Sequence, residues 1–182
     1  MNYKPLAIPD VVLITPKVFG DERGFFLETF RQNEFERQCG PFGFVQDNHS
    51  KSARGILRGL HYQRNKPQGK LARVTRGAVF DVVIDMRENS PSFGDWVGVA
   101  LNETDKQMLW VPPGFAHGFY VTSEEAEFQY KCTDYYAPDD EYSIRWDDET
   151  LGIRWPLEPG EAPRVSEKDA NALAFNDAPA VK

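Results

Sequence analysis

The chain has 182 residues, 41% of them hydrophobic and 27% charged, with a net charge of −7 and a pI near 5.0. That length fits one domain over residues 1–182, and the composition is that of a packed globular protein rather than a disordered one. An acidic chain without any Lys/Arg-rich run lacks the basic stripe that nucleic-acid binding requires, although a few local cations can still hold a small anion.

Two cysteines, Cys39 and Cys132, make no disulfide framework. The first residues, MNYKPLAIPD, have no charged start followed by an apolar run, and no stretch approaches the roughly 20 apolar residues of a membrane-spanning helix. A cytoplasmic protein with no membrane partner is expected.

In chain order the pattern is one of short strands broken by Gly, Pro, Asn and Asp turns. Strands are predicted over Val11–Phe19, Gly24–Phe30, Phe44–Lys51, Ile56–Gln63, Lys70–Thr75 and Ala78–Met86. Further strands follow at Trp96–Leu101, Gln107–Val111, Gly118–Thr122, Glu127–Tyr135 and Ser143–Trp146. In Ala78–Met86, Phe80, Val82, Ile84 and Met86 alternate with Val79, Asp81, Val83 and Asp85, which predicts one wall on the core and one mixed wall. Helices are expected only at Arg31–Gln38 and Ser166–Phe175, the second opened by a capping-box-like Ser166 with Asp169 three residues on. The tail after Phe175 is small and polar and reads as loose. Many short strands and few helices predict an all-β jelly-roll, or double-stranded β-helix, barrel with a mouth wide enough for a small ligand.

Polar side chains inside apolar strands are the informative anomaly. Arg58 and His61 lie in ILRGLHYQ, Lys70 in GKLARV, His117 in VPPGFAHGF, and Tyr130 in EFQYKCTDYY on the same face as Phe128. An imidazole takes up a proton near pH 6.5, so His61 suits a general base, with a carboxylate such as Asp169 to orient it. A core histidine bonded to backbone fits the local sequence slightly better. Tyr130 suits a general acid or a core tyrosine, Lys70 an oxyanion donor or a solvated cation, and Asp169 an orienting carboxylate or a helix cap. Metal-binding barrels of this kind carry an H-x-H pair, but here Tyr62 and Gln63 follow His61, leaving only three dispersed histidines, His49, His61 and His117, for a metal.

Taken together, FGDERGFFLETF, FVQDNHSKS, GILRGLHYQ, QGKLARVTRGAVFDVVIDMR, SPSFGDWVGVALN, LWVPPGFAHGFYV, EFQYKCTDYYAP and SEKDA resemble, in that order, the dTDP-4-dehydrorhamnose 3,5-epimerase family from about Ile8 to Phe175. The resemblance implies a cupin-type jelly roll, a homodimer, no cofactor or metal, and a dTDP-linked 4-keto-6-deoxy sugar as substrate. It implies His61 as base, Asp169 as its orienter, Tyr130 as acid and Lys70 as the enolate stabiliser. It further implies substrate contacts at Arg23, Phe26 and Glu28, which reach in from the partner subunit. Gln46, Asp47 and Asn48 form a second contact segment, with more contacts at Arg58, His117, Tyr136, Glu141 and Lys168. A single-site epimerase, a related keto-sugar isomerase, a metal oxygenase and a non-catalytic sugar-nucleotide binding module are the alternatives. One geometric conflict stands: strict alternation sends Arg58 and His61 to opposite faces unless Gly59 admits a bulge.

Overall fold

A computed structural model describes residues Met1–Lys182. Two antiparallel sheets face each other in a jelly-roll sandwich. One sheet has six strands, in the order β1 (Asn2–Pro5), β2 (Val12–Thr15), β10 (Met108–Val111), β7 (Lys70–Arg76), β12 (Glu125–Cys132) and β5 (Gln46–Ala53). The other has five, in the order β13 (Glu141–Ser143), β6 (Leu57–Gln63), β11 (Phe115–Val121), β8 (Ala78–Asp85) and β9 (Trp96–Asn102). A separate hairpin, β3 (Val18–Asp21) with β4 (Gly24–Leu27), projects from the sandwich.

Alternation explains the core between the sheets. Ala72 and Val74 of β7, Ala126 and Phe128 of β12, Val79 and Val83 of β8, and Phe119 of β11 point inward and pack as one cluster. The outer face of the six-stranded sheet is sealed by α1 (Gln32–Cys39), whose one buried side chain, Phe35, meets Trp110 edge-on at 4.9 Å between ring centroids. The outer face of the five-stranded sheet is covered by the C-terminal segment through Leu151, Trp155, Phe175 and Val181.

Several expected boundaries move. The first predicted strand is two, β2 and β3, and β1 was not foreseen because Asn2–Pro5 is a polar edge strand. Strand β8 has the expected mixed wall of Val79, Asp81, Val83 and Asp85, but that wall is buried, and its even residues pack under the C-terminal segment, so both faces are covered. The second helix, α2, spans only Glu167–Ala170, capped by Ser166 Oγ accepting from Asp169 N at 3.1 Å. The tail expected to be loose is anchored: Val181 is buried, its N–H donates to Met86 O at 2.8 Å, and Tyr62 Oη donates to Pro179 O at 2.7 Å.

Candidate active site

A cavity of about 450 Å³ opens between the two sheets. The five-stranded sheet contributes Arg58 and His61 from β6 and His117 from β11, and the six-stranded sheet contributes Lys70 from β7 and Tyr130 from β12. Lys168 and Asp169 of α2 close one side.

The conflict between Arg58 and His61 is resolved by a register shift. His61 pairs with His117 and Arg58 with Phe119, with an irregularity between them, so both strand residues face inward although three positions apart. Gly59 sits at the bend with φ +127°, and a Cβ there would come within 2.5 Å of Gly118 Cα and 2.9 Å of His117 O. Only glycine fits this backbone-to-backbone approach.

His61 Nε2 lies 2.6 Å from Asp169 Oδ1, and Asp169 Oδ2 accepts from Gly59 N at 3.3 Å. Asp169 is 3% exposed. Burial pushes its carboxyl upward, but the His61 hydrogen bond and charge, the Gly59 N–H and Ser166 together hold it below the ordinary carboxylate value. It therefore remains an anion that fixes the ring and leaves Nδ1 free of hydrogen bonds within the protein. His117 stands on a second buried carboxylate, Asp81, with Nε2 at 2.8 and 3.0 Å from its two oxygens. Asp81 lies between Val79 and Val83 on the inward face of β8, and an acid in that apolar run is the signal the sequence carries for it.

Burial pushes the Tyr130 phenol above its ordinary value, with Cys132 and Glu141 adding to the rise, so it stays protonated. Burial pushes the Lys70 ammonium down. Lys70 forms no ion pair. A desolvated amine without an ion-pair partner, facing a cavity, can donate hydrogen bonds to an anion that forms there.

The rim is one connected polar cluster. Gln46 Nε2 donates to Asn48 Oδ1 at 3.2 Å, Tyr136 N donates to Gln46 Oε1 at 2.9 Å, Tyr136 Oη donates to Glu141 Oε2 at 2.8 Å, and Lys168 pairs with Glu141. Asp47 departs from the expectation, since alternation turns it to the outer face, where it pairs with Lys131 at 3.0 Å. Arg23, Phe26 and Glu28 do not line this cavity within the protomer. They belong to the exposed hairpin and the residue that follows it, where Arg23 pairs with Asp21, Glu28 pairs with Arg31, and Phe26 is 70% exposed. Arg164, which the sequence did not flag, lines the cavity with its guanidinium bonded only to Arg54 O at 2.8 Å.

The histidines do not converge as metal ligands: His61 and His117 each face a separate carboxylate, and His49 faces Glu127 at 3.1 Å on the outer side of β5. No group of three or more His, Cys, Asp and Glu side chains is arranged to hold a metal. No helix is long and apolar enough to cross a membrane.

A carboxylate-backed imidazole on one wall and a neutral phenol on the other, inside a cupin-like jelly roll, define an isomerase of the proton-transfer type. The dTDP-4-dehydrorhamnose 3,5-epimerase family model matches residues 5–177. The chain is 59% identical to the dTDP-4-dehydrorhamnose 3,5-epimerase of Pseudomonas aeruginosa over 98% of both chains. It matches the dTDP-6-deoxy-D-glucose-3,5-epimerase of Legionella pneumophila, solved with dTDP-4-keto-L-rhamnose, at 52% identity and TM-score 0.93, covering 96% of this chain and 93% of that one. A 3'-monoepimerase from Streptomyces bikiniensis, solved with dTDP-quinovose, is similar at 34% identity and TM-score 0.88, covering 94% of this chain and 87% of that one. The chain belongs to the dTDP-4-dehydrorhamnose 3,5-epimerase family.

Proposed function

We propose that the protein converts dTDP-4-dehydro-6-deoxy-D-glucose to dTDP-4-dehydro-L-rhamnose by inverting C3 and C5 through acid–base chemistry. The observation that carries this reading is the placement of His61 and Tyr130 on opposing sheets around one cavity, with Lys70 on the wall that carries Tyr130. The C4 ketone makes the hydrogens on C3 and C5 acidic, because losing either as a proton gives an enolate. His61, oriented by Asp169, takes the proton from one face. Tyr130 returns a proton from the other, which inverts the centre. Lys70 holds the enolate oxygen. Placed acid–base groups each contribute about 10²–10⁴-fold.

Arg58 and Lys168 offer the positive charge that a diphosphate needs in a chain of net charge −7. Tyr136, with Gln46, Asn48 and Glu141 beside it, offers an aromatic face to the thymine, and His117 a further polar contact to the sugar. The exposed aromatics of the β3–β4 hairpin, Phe19, Phe25 and Phe26 at 54%, 59% and 70%, favour a homodimer in which each hairpin carries Arg23, Phe26 and Glu28 to its partner's cavity. Cytoplasmic action and independence from any cofactor or metal complete the proposal.

Proton NMR in D₂O with the dTDP-4-keto-6-deoxy sugar tests it. Deuterium at both C3 and C5 of the product is expected. Label at one carbon alone identifies a monoepimerase, and no label overturns the reading.

A further inference from the structure

Among the buried side-chain polar atoms of the chain, one, Ser143 Oγ, has no hydrogen-bond partner. Ser143 is 8% exposed and sits on β13 directly opposite His61 of β6. The neighbouring pair, Leu60 and Ile144, exchanges both backbone hydrogen bonds, at 3.2 and 2.9 Å. His61 and Ser143 are therefore a non-hydrogen-bonded cross-strand pair, the kind in which side chains on one sheet face come closest. The stacked rings of the adjacent pair, Tyr62 and Tyr142, 5.7 Å apart, show the same register on the opposite face.

Two groups without a protein partner thus share one face of adjacent strands: the buried hydroxyl of Ser143 and Nδ1 of His61, which opens onto the cavity; no hydrogen bond joins them in the resting site. A buried hydroxyl with no partner is an exception, because leaving such a group unmade is costly and nearly every buried polar group is hydrogen-bonded. A serine hydroxyl both donates and accepts, which matches an imidazole that alternates between neutral and protonated forms.

The proposed reaction supplies a use for this hydroxyl. One base and one acid serve two carbons. After the first inversion His61 holds the abstracted proton and Tyr130 is a phenolate. Before the second, the proton on Nδ1 must leave to solvent and the phenolate must regain one from solvent. A hydroxyl beside the ring can accept a hydrogen bond from the Nδ1–H of the imidazolium while the proton waits to leave.

We propose that Ser143 is a positioning residue for the protonated form of His61, used to reset the base between the two inversions. This rests on the epimerase reading above. The test is Ser143→Ala, with melting temperature, dTDP affinity, kcat and the product mixture measured beside the wild type. Thermal stability is expected to hold or rise, since the substitution removes an unsatisfied buried hydroxyl. Affinity for dTDP is expected to stay constant, kcat to fall about tenfold, as for a hydrogen bond lost to a charged group, and singly epimerised sugar to accumulate. Wild-type kcat and product ratio in the variant, or a loss of activity that only tracks a fall in melting temperature, overturns the assignment of Ser143. A wild type that epimerises neither carbon instead overturns the underlying reading, and the role of Ser143 with it.

Discussion

His61 and Tyr130 stand on different sheets and line the same cavity, His61 on β6 of the five-stranded sheet and Tyr130 on β12 of the six-stranded one. An imidazole and a phenol are thereby held on opposite walls by two hydrogen-bonded sheets, which is the geometry that the proposed inversion at carbon demands. A single wall carrying both would return the proton to the face it left.

The two variants separate the two half-steps. Tyr130→Phe keeps the base, so C–H exchange with D₂O is expected to continue with retention while inversion falls by about 10²–10⁴-fold. His61→Asn removes the base and is expected to stop both exchange and inversion, while dTDP still binds. Proton NMR of the recovered sugar reads both. Inversion at wild-type rate in Tyr130→Phe would show that the proton is returned by another group.

Lys70 offers a test in which activity and stability move apart. Its amine is desolvated and forms no ion pair, with Cys132, Glu141 and Asp81 acting on it only at longer range. Lys70→Met keeps the length and removes the charge, so stability is expected to hold or improve. The enolate loses its donor, and kcat is expected to fall by about 10²–10³, the cost of removing one oxyanion donor. Thermal melts and steady-state kinetics on one preparation decide it; unchanged kcat removes Lys70 from the reaction.

Gly59 carries the bend that aims both Arg58 and His61 inward. Gly59→Ala would place a methyl 2.5 Å from Gly118 Cα, where neither backbone can yield cheaply, at a φ of +127° that disfavours any side chain. A loss of about 1–3 kcal/mol is expected, together with weaker dTDP binding and slower turnover as β6 lifts from β11. Chemical denaturation with a parallel binding titration checks it. A stable variant with full activity would mean that the bulge does not set the site.

The sequence made the walls legible but not their joints. His61, Lys70 and Tyr130 stood out because polar residues on inward positions of apolar strands break a period-two pattern. The sequence marked Gly59 as the one place where a bulge could reconcile Arg58 with His61, but not that the bulge forms, since a bulge is defined by the partner strand, here Gly118 of β11. Asp169 lies 108 positions from His61, so its helix-cap role was visible locally while its contact with the imidazole was not. The resemblance groups Asp47 with Gln46 and Asn48, and strand alternation turns Asp47 to the other face. The C-terminal tail reads as loose because it is small and polar, and it is pinned by Val181, which pairs with Arg87 just past β8, together with hydrogen bonds from Tyr62 and Arg64 to Pro179 O and Ala180 O.

The acid limit of stability follows from Asp85. This carboxylate is fully buried, yet it accepts from Arg87 Nη2 at 2.6 Å, Ser90 Oγ at 2.5 Å and Ser92 Oγ at 2.7 Å. Burial raises its pKa, and these bonds with the Arg87 N–H outweigh that, taking it from an ordinary 3.8 down to about 2. A carboxyl that titrates lower in the folded than in the unfolded chain adds stability above its unfolded value and loses it as pH falls through the folded one. The gain is about 2 kcal/mol at neutral pH. Wild-type melting temperature is expected to fall steeply between pH 4 and pH 2 as this contribution is lost. Asp85→Asn is expected to melt about 4–8 °C lower at pH 7, and the two curves are expected to converge as pH falls through about 2, where the folded-state carboxylate takes up its proton. Calorimetry across that range reads the gap directly; a separation that stays constant with pH would assign the cost to packing rather than to charge.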